Sequence, residues 1–414
     1  MRINKTILIL GITIICLSLF VGCHPQSLST IEPITQVEEP EAPPPPEPQN
    51  FTITLVGDIM IHNTQITSAY RSEIDSYDFS ECFKPVKPIL KASDLVIGNL
   101  ETTLAGSKAV YSGYPRFNAP EQLAQNLKDA GFHVITTANN HSLDKGVTGV
   151  TETIRHLDEA GLLHTGTFAT KEDQQKPLLT EVKGCKIAIL AYTYGLNGLV
   201  LPKDTTVAIN MLDAEQIKND IKTAQEQEAQ LILVALHFGE EYRPTATRAQ
   251  IQLAQDILEA GAHVIIGHHP HVLEPIVITD EGSSNTKLTT YSLGNFISAQ
   301  KGLERKSSII LNLHFTLEPE AIEPTLNKAS YIPIWTHQYR HNGRLAFRVV
   351  PIEPALMSIA ANRNDYFTAN DSLELDKAWH HVQNALQITD PRISLQELQI
   401  PLDELINLEL LPSQ

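Results

Sequence analysis

The sequence predicts an α/β layered domain, and three observations predict it. Short apolar runs alternate with amphipathic stretches of helical length. Alanine–glycine pairs punctuate the ends of those stretches. Polar residues of the kinds that ligate metals collect just beyond the apolar runs, where open α/β sheets place their ligands.

Taken in order, the first half is expected to hold strands at Thr52–Val56, Leu95–Ile97, His133–Thr137, Lys186–Tyr192, Leu231–Leu236 and His263–Ile266. Helices are expected between them at Pro120–Ala130, Val147–Ala160, Asp213–Gln227 and Ala246–Ala260. Gly131, Gly161 and Gly261 close three of these helices, because glycine alone enters the left-handed C′ conformation without strain. Asp213 with Gln216 reads as a capping box. After Pro270 the pattern turns to strands, at Val272–Thr279, Lys287–Ser292, Ser307–Phe315, Ala329–Trp335 and Leu345–Pro351. Polar turns such as Glu281-Gly282-Ser283 would join them as antiparallel neighbours. From Pro354 onward a polar tail is expected to be helical, chiefly over Asp371–Leu386 and Leu395–Leu410.

The N-terminus reads differently. Arg2 and Lys5 precede an apolar run from Ile7 to Phe20, and Phe20-Val21-Gly22-Cys23 follows. That run falls short of the roughly 20 residues a membrane span needs, which favours a secretory signal over a transmembrane helix. The ending resembles a bacterial lipobox, with Cys23 as the lipidated first residue; an uncleaved anchor is the alternative. Either places the bulk of the chain outside the cytoplasm. Residues 24–50 carry Pro33, Pro40, the run Pro43 to Pro46 and five glutamates, an extended spacer of fixed φ and mutual repulsion. The expected division is therefore 1–23 signal, 24–50 tether, 51–353 main domain and 354–414 helical extension.

The formal net charge of -17 argues against nucleic acid as a partner. Metal ions can still bring an anion to an acidic protein by supplying the local positive charge. Of four cysteines, Cys16 and Cys23 lie in the leader, so Cys82 and Cys185 offer at most one disulfide.

The chelating residues follow the strands in five groups. They are Gly57-Asp58, Gly98-Asn99-Leu100-Glu101, Asn139-Asn140-His141, His237-Phe238-Gly239-Glu240-Glu241 and Gly267-His268-His269-Pro270-His271. Alone, each has a bland reading as a turn, a helix cap or a satisfied core histidine. Three imidazoles in four residues are costly to bury without a partner. Together the groups offer oxygen and nitrogen donors suited to Zn, Mn or Fe.

These groups, with Asp144 and with Tyr291-Ser292-Leu293-Gly294-Asn295-Phe296, resemble the motifs of the poly-γ-glutamate capsule synthesis protein CapA family, related to the calcineurin-like metallophosphoesterases. The resemblance runs from about residue 52 to 300. It implies a four-layer αββα sandwich of metallophosphoesterase type with two divalent metal ions at the strand edge. It makes Asp58, Asn140 and His237 metal ligands, with His269 and His271 as a final pair in which His268 can replace His269. It gives His141 the role of protonating a leaving group. Two departures stand out: Met60 sits where the wider group has histidine, and Asn99 where it has a bridging aspartate, leaving Glu101 to supply the carboxylate. Arg116, in the loop Tyr114 to Pro120, is read as a substrate clamp or a solvated loop residue. Glu241 either orients His237 or acts as a base, the first being preferred.

Three functions are compatible with this reading. One is a metal-dependent hydrolase or transferase on a phosphorylated or carboxylate substrate. A second is a non-catalytic subunit gripping an anionic polymer beside capsule synthase or export subunits, held at the membrane by its lipid. The third is a binding protein that kept the fold and lost the metal.

Overall fold

The computed structural model describes residues 47–280, 286–341, 343–363 and 367–407. Cys23, the leader, nearly all of the spacer and the turn at Glu281 lie outside the described residues. Two sheets form the interior. The first runs in the order β14-β13-β12-β1-β2-β3-β4, where β1 is Gln49–Ile59, β2 Leu95–Leu100, β3 Val134–Thr136, β4 Leu163–Thr165, β12 Ser307–Leu317, β13 Thr325–His341 and β14 Arg344–Pro351. Two short strands join its path: β11 (Asn295–Ile297) beside β1, and β15 (Ile393–Leu395) beside β13. The second sheet runs β9-β10-β8-β7-β6-β5, with β5 Leu178–Val182, β6 Cys185–Thr193, β7 Leu231–His237, β8 Val264–His268, β9 Ile276–Asp280 and β10 Thr286–Thr290.

Strand β7 shows why the layers form. Leu231, Leu233 and Ala235 pack into the core between the sheets, while Ile232, Val234 and Leu236 face the helices outside. A strand covered on both faces must be apolar at every position, which explains the unbroken run. The inter-sheet core is completed by Ile53, Leu55, Leu95 and Ile97 from β1 and β2, facing Ile187 and Ile189 of β6. Outside the second sheet lie the helices Ala214–Glu226 and Arg248–Glu259. Outside the first lie Gln122–Ala130 and the C-terminal helices Ile352–Ala360 and Ala369–Ala385. The result is the four-layer αββα sandwich, with the tail folded onto it as part of the outer layer.

Several local expectations shift. Strand β1 starts at Gln49, inside the expected spacer, because Gln49 and Asn50 pair with Leu317 and Thr316. Asp213 caps its helix by accepting from the Glu215 and Gln216 backbones, but Gln216 donates forward to Asp220 instead of closing a box. A full capping box stands at Thr247 and Gln250. The strand expected from Val272 begins only at Ile276, since Pro275 has no N–H to give a ladder. In the tail, Ile393–Leu395 is a strand and the last described helix is Leu402–Asn407, set off by Pro401. Cys82 and Cys185 are free thiols in different layers, the first outside the first sheet and the second between the sheets.

Candidate metal centre

The inter-sheet faces of β2 and β7 end in polar residues. Asn99 continues the face of Leu95 and Ile97, and His237 that of Leu233 and Ala235. At the shared C-terminal edge of the sandwich these two side chains meet, with the Asn99 amide nitrogen 3.4 Å from His237 Nδ1. One residue from each sheet thus defines the floor of the site.

Glycine makes the close approach possible. A Cβ on Gly57 would lie 2.0 Å from the Gly294 carbonyl oxygen, and one on Gly267 1.9 Å from that of Tyr291. Asp58, next to Gly57, donates its backbone N–H to the Gly294 carbonyl across 2.9 Å. The chain after β8 is bent sharply: His269 and His271 carry φ of 100° and 60°. Left-handed backbone at two non-glycine residues is strain of the kind that clusters at functional sites. Asn295 holds this bend, its Oδ1 lying 3.1 Å from His271 Nδ1 and its amide donating to the His271 and Arg305 carbonyls.

Asp58, Glu101, His237, His268, His269 and His271 are all buried. His268 Nδ1 lies 3.3 Å from Asp58 Oδ1, and His271 Nδ1 lies 3.4 Å from Asp58 Oδ2. Glu101 Oε1 is the hub, 3.7 Å from His237 Nε2, 3.8 Å from His271 Nε2 and 4.0 Å from His141 Nε2. Two sets have the spacing of a metal site, each with ligand atoms within 4.8 Å of one another: Asp58, Glu101 and His237, and Glu101, His269 and His271. Glu101 belongs to both.

The donors fit a divalent cation on a further observation. Both carboxylate oxygens of Glu101, Nδ1 of His269 and Nε2 of His268 are buried with no hydrogen-bond partner in the protein. Buried polar atoms are nearly always paired, so a cluster of orphans calls for a missing partner, and carboxylate and imidazole together suit a metal ion. Electrostatics agree. Burial, then the charge of Asp58, pushes the Glu101 carboxyl well above its usual range. Burial alone would raise Asp58 too, but hydrogen bonds from His268 and His271 outweigh it and hold that group well below the usual range. Burial, seconded by His269, keeps His237 far below the usual imidazole value; burial and His271 bring His269 down to about 4. Neutral imidazoles are the ligating form.

The other expected residues divide by contact. Asn140 Oδ1 is 2.9 Å from His237 Nε2, among the donors. Asn99 acts as a hydrogen-bond donor: its amide gives a 2.7 Å bond to Asp58 Oδ1, the place a bridging carboxylate would repel. His141 stands at the edge with Nδ1 2.7 Å from Asp144 Oδ2, which fixes its orientation. Glu241 does not orient His237, whose ring nitrogens face Asn99, Asn140 and Glu101; its side chain lines a cleft of about 340 Å³ with Arg116, Asn140, His141 and Asp144.

Two residues here belong to no motif. Asn197, at φ 49°, accepts a 3.2 Å hydrogen bond from the Asn140 amide, turning Asn140 Oδ1 towards His237. Tyr194 is stacked with His237 at a ring separation of 6.3 Å and tilted against His269 at 4.5 Å. Both sit in the loop after β6, a largely apolar stretch with no ligand-like pattern to mark it.

The capsule biosynthesis protein CapA of Bacillus anthracis is 32% identical over 277 residues, covering 65% of this chain and 64% of that protein. The PGA biosynthesis protein CapA of Bacillus subtilis is 32% identical over 271 residues, covering 64% and 67%. This chain therefore spans about two thirds of the length of those relatives. Among solved structures, a putative 5'-nucleotidase from Staphylococcus aureus aligns at 10% identity and a TM-score of 0.44, covering 80% of this chain and 58% of that one. Residues 52–300, a stretch that includes Asp58 and Asn295, match the family described as bacterial capsule synthesis protein PGA_cap, and the chain belongs to that family.

Proposed function

We propose that this protein acts outside the cytoplasm, tethered through Cys23, in the synthesis or export of poly-γ-glutamate or a similar anionic capsule polymer, and that its metal centre transfers or hydrolyses a bond of that substrate. The observation that carries the reading is the unpartnered Glu101 carboxylate, ringed by imidazoles, beside a histidine–aspartate pair open to a polar cleft. Asp58, Glu101, Asn140, His237, His269 and His271 would hold two divalent ions, of Mn, Fe or Zn. Bound there, such ions supply Lewis-acid polarisation of a carbonyl or phosphoryl oxygen.

The chain's own residues supply the rest. Asp144 accepts from His141 Nδ1, so Nε2 is the atom placed to deliver a proton to a leaving group. Asn197 fixes the Asn140 amide, and Phe117 packs edge-on against His141 at 4.7 Å, limiting its rotation. Tyr114, Pro115, Arg116 and Glu241 border the cleft. Glu241 is placed to accept a proton from an attacking group.

A second reading, a non-catalytic grip on the polymer, is favoured by Asn99 in place of the bridging aspartate. His141→Ala distinguishes them. The variant should keep its metal by elemental analysis and lose turnover of polymer or phosphodiester substrate. Full turnover in that variant rules out the proton-delivery role, and a wild-type protein that stays metal-free after exposure to Mn, Fe and Zn rules out both readings. Release of the Cys23→Ala protein from the membrane fraction is the check on the tether.

A further inference from the structure

We propose that two tyrosine–arginine pairs bracket the metal centre and hold successive carboxylates of an extended polymer, so that the site reads a chain and not a lone small anion. This rests on the metal-centred reading above and adds the side chains that would hold its substrate.

The exposed large aromatic side chains among the described residues are Tyr114, Tyr194 and Tyr242, at 72%, 46% and 46% exposure. All three surround the same centre, although they come from separate loops. Tyr114 lies edge-on to Phe117 at 6.3 Å, and Phe117 in turn to His141 at 4.7 Å. Tyr242 lies 5.9 Å from the His271 ring. Tyr194 lies against His269 at 4.5 Å. Aromatic rings are costly to leave in water, and their gathering at one mouth marks a surface that meets a ligand.

An arginine accompanies each outer tyrosine. Arg116 lines the cleft with Tyr114, and the Arg305 guanidinium sits 4.8 Å over the Tyr242 ring. Neither pairs with a carboxylate among the described residues, in a chain of net charge -17. Arg116 follows β2 in sequence, whereas Arg305 belongs to the short helix Leu303–Lys306, so their convergence on one centre is a tertiary fact. A guanidinium beside an aromatic face suits a carboxylate carried on an apolar stem: the ring takes the methylenes and the fork takes the oxygens. Two separate cationic positions beside the metal-ligating residues match an acid repeated along a chain.

The test uses the full-length, metal-loaded protein and fragments of poly-γ-glutamate of defined length, with glutamate as the monomer control and polyphosphate as the competing polyanion. Affinity should rise about 10²-fold from monomer to long fragment as separate contacts combine. Arg116→Ala and Arg305→Ala should each flatten that rise, and Arg116→Lys should restore part of it, with metal content at the wild-type level throughout. Equal affinity for monomer and long fragment overturns the proposal, as does full length dependence in the Arg116→Ala, Arg305→Ala double variant. Preference for polyphosphate over polyglutamate overturns the carboxylate assignment. Elemental analysis of the same samples reads the metal centre separately, so failure of the rim and failure of the centre are distinguishable.

Discussion

Glu101→Gln is expected to change the sign of its effect when metal is added. In the metal-free protein the Glu101 carboxyl is fully buried, both oxygens lack partners, and Asp58 carries a neighbouring charge. An unsatisfied buried polar group costs about 1–3 kcal/mol, and more when ionised. Glutamine keeps the shape and removes the charge, so the metal-free variant should be more stable than wild type by about 1–2 kcal/mol at neutral pH. The pH dependence follows from the raised Glu101 value. Stability conferred by the protonated form is fully present below the unfolded pKa and is lost as pH rises through the folded one, so the advantage of glutamine vanishes in acid. With metal the order inverts. A cation at a hundred times its dissociation constant stabilises wild type by about 2.7 kcal/mol, whereas the variant lacks the carboxylate shared by both ligand sets. Thermal unfolding with chelator, then with Mn or Zn, reads both halves, and elemental analysis reads occupancy. A variant that binds as much metal and gains as many degrees as wild type would refute the assignment of Glu101 as the shared ligand.

Three further substitutions probe other residues. Asn99→Asp replaces the amide that donates to Asp58 Oδ1 with a repelling carboxylate, so it should destabilise the chelated protein by about 1–3 kcal/mol and recover when metal is added; equal destabilisation in both conditions would count against a cation between them. Glu274, buried with Gln250 as its hydrogen-bond partner, is pushed up to about 7 by burial. Its protonated form therefore favours the fold, and stability should fall by about 3 kcal/mol as pH rises from 4.5 through 7. Glu274→Gln should erase that slope in urea titrations, and an unchanged slope would refute the buried Glu274 carboxyl as its source. Gly267→Ala puts a methyl 1.9 Å from the Tyr291 carbonyl oxygen, forcing β8 and the neighbouring turn apart, at a cost of about 3 kcal/mol; an unshifted urea midpoint would show that the approach is not tight.

Much of the fold was legible because layering leaves a local imprint. The doubly covered strands β6 and β7 had to be apolar throughout, and their helices had to be amphipathic, one of them, Arg248–Glu259, closing at Gly261. Elements whose structure depends on distant partners were harder to read. Gln49 and Asn50 look like linker and become strand only because Ser307–Leu317 offers them a ladder. Ile393–Leu395 sits in a helical-looking tail yet pairs with Ala329 to Tyr331. Thr247 and Gln250 formed the box that Asp213 and Gln216 did not, because the Gln216 amide found Asp220 one turn on.

The amino-acid sequence by itself determined the chemistry available to this protein. Carboxylate, amide and imidazole groups stand at the ends of successive strands, and their order along the chain marks the family. Which of those groups meet was decided by tertiary structure. The register between two sheets brings Asn99 against His237 and puts Glu101 within reach of both ligand sets. The turn that carries Tyr194 and Asn197 and the helix that carries Arg305 reach the same mouth with no pattern to announce them. A local pattern records what each residue's own neighbours require, whereas a site assembled from distant loops depends on distances that exist only once the layers have packed.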